Sequence, residues 1–313
     1  MLLKNSLFIK KKKSIAAKTK YVEFNSRTIS TATVPLVAWY DFSDISTLYQ
    51  DQAGNTPVTA ALQPIGKINN KAKAAGVSSK RLGTALHATD NDHRPKFQKG
   101  SLPRQQAAKF DGVDDFLICN TTTGNANGSN SLSSTTLNTS ALTMYFVVLS
   151  DNATITSNET VFSFMNSNES SFKFLIDHAT DHWAVIAGDA AARTNTVINS
   201  GVDVETGTSS PELWCVRYKG GVGSGTSLLL KNGVKKGIAN GSGDDLDFDM
   251  STNDAAVQVS VGCKLSASGG SALENYDGQV YEILVFDGQV SEKVHLEVIG
   301  SLIKKYDITI LTS

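Results

Sequence analysis

After residue 35 the apolar positions come in short runs separated by Gly, Asn, Asp and Ser. Leu36 to Phe42 is rich in strand formers, and runs at 116–118, 142–149, 160–165, 172–176, 183–187, 213–218, 227–231, 257–262 and 279–286 read the same way. Asn232-Gly233, between Leu228-Leu229-Leu230 and Val234, is a two-residue hairpin signal. Residues 51–105 read mostly as loop, and the Thr/Asn/Ser/Gly tract 119–140 as a surface loop. One helix is predicted near the end. Ser291 caps it, Glu292 suits its first turn, and Val294, Val298 and Leu302 form an apolar stripe with Ile299 and Ile303 beside it. Lys304 and Lys305 occupy the last turn, where the helix dipole favours positive charge. Many short strands with tight turns predict an all-β sandwich or barrel, with the helix against one edge or end.

Charge changes this picture at one end of the chain. Residues 1–20 hold seven lysines and no acid. Taking these from the 29 basic residues leaves 22 against 30 acids, so the remainder carries a net −8. A basic arm over residues 1–33 thus precedes an acidic body over 34–313. Lys10, Lys11, Lys12 and Lys13 cannot be buried without partners. Three readings stand for them: a solvated tail, a contact with an acidic partner, or a contact with phosphates. Leu7-Phe8-Ile9 is too short for the apolar core of a signal peptide. The near-balanced total charge argues against a strongly basic nucleic-acid binder. No apolar run approaches the ~18 residues of a membrane span. Cys119, Cys215 and Cys263 show neither paired number nor CxxC spacing, which argues against a disulfide scaffold or a Cys-based zinc site.

Candidate chemistry is sparse. Glycoside hydrolysis needs two carboxylates flanking one bond. Glu282 and Asp287 are five apart, so on a regular strand they point to opposite faces, and no E-x-D-x-x-E run of carboxylates is present. No G-x-S-x-G or H-E-x-x-H is present, so no catalytic residue is assigned. Asp111, Asp114 and Asp115 crowd one loop. They offer hard oxygen ligands for Ca2+, centred on Asp111 or Asp114 with backbone carbonyls. Alternatively, Asp111 caps the turn at Gly112 while Asp115 faces solvent or pairs with a base. Trp39, Trp183 and Trp214 lie in apolar strands and read as core, with an exposed sugar-stacking platform as the alternative.

Several stretches together resemble the concanavalin A-like (laminin-G-like) jelly-roll domains of bacteriophage virion proteins and bacterial surface proteins. These are Leu36 to Asp44, Tyr49 to Val58, Pro64-Ile65-Gly66, His87-Ala88-Thr89 with Arg94-Pro95, Phe110 to Leu117, and Asp277 to Phe286 followed by the helix to Tyr306. The chain departs from the family where Lys67 to Lys71 replaces a W-x-D-K-S-G-N run. The resemblance implies a concanavalin A-like jelly-roll sandwich of two antiparallel sheets, with a C-terminal helix and an extended N-terminal arm. It implies a non-enzymatic virion protein, made in the host cytoplasm and multimeric in its particle. Its partners would be capsid or tail proteins and a host-surface glycan. A free lectin or adhesin and a glycoside hydrolase are the alternatives. In the strand 279–286, Val280, Glu282, Leu284 and Phe286 are placed on one face, with Tyr281, Ile283 and Val285 on the other. Glu282 then needs a buried partner, for which Arg94 is the first expectation and Arg217 the second.

Overall fold

The computed structural model describes residues 34–72, 84–99, 106–119, 141–151, 155–165, 171–188, 195–204, 210–219, 228–238, 258–265 and 272–309. The expected arm with Lys10, Lys11, Lys12 and Lys13 and residues 120–140 of the Thr/Asn/Ser/Gly tract lie outside them. The described strands form two large antiparallel sheets, an all-β jelly-roll sandwich. The first sheet runs in the order Val234–Ile238, Leu228–Lys231, Glu212–Lys219, Ala141–Ser150, Asp277–Phe286, Gln106–Asp111, Lys96–Lys99. Leu36–Asp41 also pairs with Asp277–Phe286, beyond the end of Gln106–Asp111. The second sheet runs Asn195–Asp203, His182–Gly188, Ser171–Asp177, Glu159–Met165, Gln258–Val261, Leu117–Ile118, Ala85–His87, Lys67–Asn69, Leu48–Tyr49.

The inner faces of both sheets build one core. Phe146 of the first sheet stacks on Phe174 of the second, with centroids 4.5 Å apart, and Phe174 stacks on Trp183 at 5.1 Å. Trp183 and Trp214 are both fully buried there, as the strand pattern predicts. Burying each such ring contributes roughly 2–3 kcal/mol, so this cluster joins the sheets strongly. Gly262 closes the turn after Gln258–Val261 with φ of +88°. A Cβ there would meet the Phe110 ring at 2.3 Å, so glycine is required both for the backbone and for the core.

Most of the predicted strands are present, and Asn232 and Gly233 take the positive φ values of 51° and 82° that the hairpin turn demands. The stretch 51–105 differs from its loop reading. It holds Lys67–Asn69, Ala85–His87 and Lys96–Lys99, each with one side chain in the inter-sheet core: Ile68, Leu86 and Phe97. So brief an alternation gives almost no periodic signal. The polar strand Asn195–Asp203 was hidden for the same reason.

The helix spans Glu292–Tyr306, with the Ser291 side chain accepting the Val294 N–H. It covers the outer face of the first sheet, and Val294, Val298, Ile299 and Leu302 join a second core with Tyr145, Leu284 and Phe286. His295 lies inside this interface, 3% exposed, with Nδ1 2.9 Å from the Tyr145 hydroxyl. Burial, then the nearby Arg217 charge, lowers its pKa to about 4. The unfolded chain takes this proton near pH 6.5. The neutral ring's contribution is therefore complete above about pH 6.5 and is lost as pH falls through 4, up to about 3 kcal/mol. His295→Gln should flatten the stability decline between pH 7 and 4 in urea titrations. An unchanged decline would show that another group controls it.

Candidate functional site

The strand Asp277–Phe286 lies centrally in the first sheet and is covered on both sides, as its two apolar faces predict. Its facing pattern is altered by a bulge between Val280 and Glu282 on the Ala141–Ser150 side. Tyr281 is the extra residue. Val280 consequently joins Ile283 and Val285 in the inter-sheet core, while Tyr281, Leu284 and Phe286 pack on the helix side. Glu282 also faces the helix, and directly opposite it on the neighbouring strand is Asp41. The side chains of these two carboxylates are 1% and 4% exposed.

Arg94 does not neutralise Glu282. It donates to the carbonyls of Asn91 and Gln50, tying its own loop together. Arg217 pairs instead with Glu292 at 2.8 Å. The partner is Lys305, which the dipole reading placed in the last turn of the helix without naming a partner for it. Its Nζ donates to Glu282 Oε2 at 2.7 Å and to Asp41 Oδ1 at 2.9 Å. Trp39 Nε1 donates to Glu282 Oε1 at 2.6 Å, and the Tyr306 hydroxyl donates to Oε2 at 2.7 Å. Lys71 meets Asp41 Oδ2 at 2.8 Å, bridges to Asp44 at 2.7 Å, and lies 4.5 Å from the Trp39 ring centroid. Burial works to raise the Asp41 pKa, but Lys305 and Lys71 outweigh it and hold the group below the ordinary carboxylate value. Burial and then the Asp41 charge raise Glu282, against Lys305 and Tyr306. A second carboxylate, Asp41 on the neighbouring strand, thus shares the face of Glu282. Both are enclosed and hydrogen-bonded.

The loop after the strand Gln106–Asp111 holds the candidate calcium ligands. Asp111 Oδ1 accepts the backbone N–H groups of Val113 at 2.9 Å, Asp114 at 3.2 Å and Asp115 at 3.4 Å, around Gly112 with φ of +73°. Burial opposes the charged form of Asp111, yet these donors lower its pKa. The capping role is therefore real. Asp115, however, is only 6% exposed and forms no ion pair among the described residues. Its burial, followed by the charges of Asp111 and Asp114, pushes its pKa up to about 7.

The third location is the outer face of the second sheet, on strands that sequence reasoning assigned to loop. Tyr49, Lys67 and His87 stand opposite one another on three adjacent strands. Leu48, Ile68 and Leu86 point into the core from the same strands, so this half-buried row faces away from it. Lys67 Nζ is 5.7 Å from the Tyr49 ring centroid, and Asn69 Nδ2 is 3.5 Å from the Tyr49 hydroxyl. His87 Nδ1 lies 2.9 Å from the Gln52 carbonyl. Burial lowers the His87 pKa against that carbonyl, with Lys67 adding to the effect. Further along the same face, the short hairpin Lys264–Leu265 with Ala272–Leu273 leads into Glu274, which pairs with Lys173 at 3.0 Å.

No protein-family description matches the chain, and no curated protein sequence matches it. Solved structures with partial similarity include a K499G mutant of the NanB sialidase from Streptococcus pneumoniae, at 14% identity and TM-score 0.42, over 60% of this chain and 26% of that one. The Ruminococcus gnavus IT-sialidase CBM40 is similar at 10% identity and TM-score 0.43, over 62% and 96%. The Trypanosoma rangeli sialidase is similar at 9% identity and TM-score 0.46, over 84% and 32%. The chain spans about a quarter of the NanB structures. The jelly-roll sandwich is defined by the sheet order above, independently of these similarities. No helix among the described residues is long and apolar enough to cross a membrane.

The ion-pair geometry predicts a specific coupling. Lys305→Met leaves Asp41 and Glu282 facing each other with one lysine fewer, and should destabilise the protein by about 3–5 kcal/mol. Glu282→Gln keeps a shape that Trp39 and Tyr306 can still bond, and in the Lys305→Met background it should restore at least about 1 kcal/mol. Urea unfolding of the four proteins checks this. Strict additivity would mean that the charges do not act on one another.

Proposed function

We propose that the chain is a non-enzymatic, lectin-like attachment module. Its sandwich takes a surface glycan on the outer face of the second sheet, and its basic arm holds it to an acidic protein of a bacteriophage particle. The observation that carries the binding reading is the row Tyr49, Lys67 and His87, with Asn69 beside it. A ring for sugar C–H faces, set among nitrogen and hydroxyl groups for sugar hydroxyls, is suitable chemistry for a glycan. The helix occupies the outer face of the first sheet, which leaves the second sheet as the face to present.

The non-enzymatic reading is supported by the state of Asp41 and Glu282. Their oxygens are taken by Trp39, Ser43, Lys71, Lys305 and Tyr306, and both side chains are covered. A glycosidase needs its two carboxyl groups on either side of an accessible bond. The particle reading rests on the family resemblance and on seven lysines in residues 1–20 preceding a body of net −8.

Full-length protein on a glycan array, with an assay for released reducing sugar, tests the binding half. Binding without release is expected, and Tyr49→Ala and Lys67→Ala should each weaken it at least about tenfold (about 1.4 kcal/mol) without lowering the melting temperature. Release of sugar that Glu282→Gln abolishes would overturn the reading. So would variants that bind as the parent does. For the arm, replacing Lys10, Lys11, Lys12 and Lys13 by Glu in the full chain should abolish co-sedimentation with particles and spare glycan binding. Undiminished co-sedimentation would remove the anchoring role.

A further inference from the structure

Within the Tyr49 row, Lys67 is a charge that the fold leaves without a counter-charge. Lys71, Lys109, Lys173, Lys231, Lys264 and Lys305 are also buried or half-buried, and each has a carboxylate oxygen within 4.0 Å. Lys67, half-buried as well, has none among the described residues. Its ammonium lies 3.4 Å from the Ala53 carbonyl and 5.7 Å from the Tyr49 ring centroid, so its neighbours are a neutral dipole and a ring. Asp51, in the same loop as Ala53, turns its carboxylate to the backbone N–H groups of Asn55 and Thr56. Acids are plentiful in a body of net −8, so the isolation of Lys67 does not follow from a shortage of them. A partly desolvated charge is costly without a partner and is ordinarily given one.

His87 stands directly opposite Lys67 on the next strand. Its Nδ1 is 2.9 Å from the Gln52 carbonyl, an oxygen that can only accept, so Nδ1 carries the proton and donates. Burial favours the neutral ring, and the Lys67 charge adds to this. In that neutral ring Nε2 is an acceptor, and no hydrogen bond occupies it among the described residues. Three adjacent strands thus present one cation, one neutral acceptor and one aromatic ring. These match an anionic substituent, a donating hydroxyl and an apolar C–H face. A pyranose that carries an acidic group has all three. A polyanion such as a nucleic acid needs many phosphate-neutralising cations, and a lone lysine on an acidic body does not supply them.

We propose that Lys67 selects acidic saccharides: its ammonium pairs with a sugar carboxylate or sulfate, His87 Nε2 accepts a ring hydroxyl, and the Tyr49 ring supports the pyranose. The inference rests on the glycan reading of this face and adds the charge of the ligand to it. The ligand supplies the counter-charge that the fold withholds from Lys67.

The test places the full-length chain on an array in which each acidic glycan is printed beside an uncharged form, the methyl ester of a carboxylate or the desulfated parent of a sulfate. Acidic glycans should be retained, and their uncharged forms should bind at least about tenfold more weakly. Scoring carboxylated and sulfated pairs separately identifies the source of the charge. Lys67→Gln should bind both forms of a pair alike, and Lys67→Arg should keep the preference. Neither change should lower the melting temperature, because Lys67 has no ion pair to lose. His87→Phe should weaken both forms by a similar factor, whereas loss of the charge preference in that variant would place the selecting charge on the imidazole and overturn the assignment. Equal binding of both forms by the parent, or retention of neutral glycans only, would overturn the proposal and leave the glycan reading standing. A Lys67→Gln protein with the parent's preference would do the same. Retention of no glycan at all would overturn both.

Discussion

Two carboxylates face each other across adjacent strands beneath the helix, and the first sheet depends on how they are neutralised. Asp41 and Glu282 are directly opposed in register. Like charges so placed destabilise a sheet, and burial greatly increases the effect. Lys305 enters between them from the last turn of the helix, and Lys71 reaches Asp41 from a segment that runs along the strand Leu36–Asp41. That segment is fixed by backbone contacts. Lys71 N–H donates to the Trp39 carbonyl, and Asn70 bonds both Trp39 N–H and the Val37 carbonyl. One charge problem thereby unites the first strand, the residues after Lys67–Asn69, the bulged central strand and the C-terminal helix.

The consequence is a division of labour between the two sheets. The first is covered by the helix and closed by charge pairing, so its carboxylates serve the fold. The second has its inner face in the core, while its outer face carries Tyr49, Lys67 and His87 on one side and Lys173 on the other of a small apolar cluster of Phe116, Ile118, Cys263 and Leu265. The bulge at Tyr281 contributes to this arrangement. In a regular strand with no bulge, Val280 and Glu282, two positions apart, would share a face, and either the core would lose Val280 or the acid would enter it. On the other side of the same strand the Tyr281 carbonyl accepts the Phe42 N–H at 2.9 Å and fixes the end of the first strand.

Much of the fold was legible because its signals are local. The Asn232-Gly233 turn, the Ser291 cap and the helix stripe each lie within a few residues, and each is found as predicted. The need of Glu282 for a partner was legible too, since it follows from an acid in a strand apolar on both faces. The partner's identity was not. Asp41, Lys71, Glu282 and Lys305 are separated by up to 264 positions, and only strand register, the docked helix and the segment after Lys67–Asn69 together bring them to one place. Lys305 was placed correctly in the last helical turn but not recognised as the partner, because the dipole already gives a lysine there a sufficient local explanation. The row on the second sheet was missed because Lys67–Asn69 and Ala85–His87 are three residues long, each with one apolar side chain pointing inward.

The central claim is that the charge network, rather than the apolar stripe alone, holds the helix to the sandwich. Native-state hydrogen exchange, read at the helix amides of residues 296–306 and at strand amides around Phe174 and Trp183, measures this directly. In the parent protein, both sets should exchange through the same global opening. In Lys305→Met, the helix amides should exchange by a separate opening of lower free energy, while the strand amides keep exchanging through global unfolding. Helix and strand amides that still exchange through one common opening in the variant would contradict the account and leave the helix held by its apolar face.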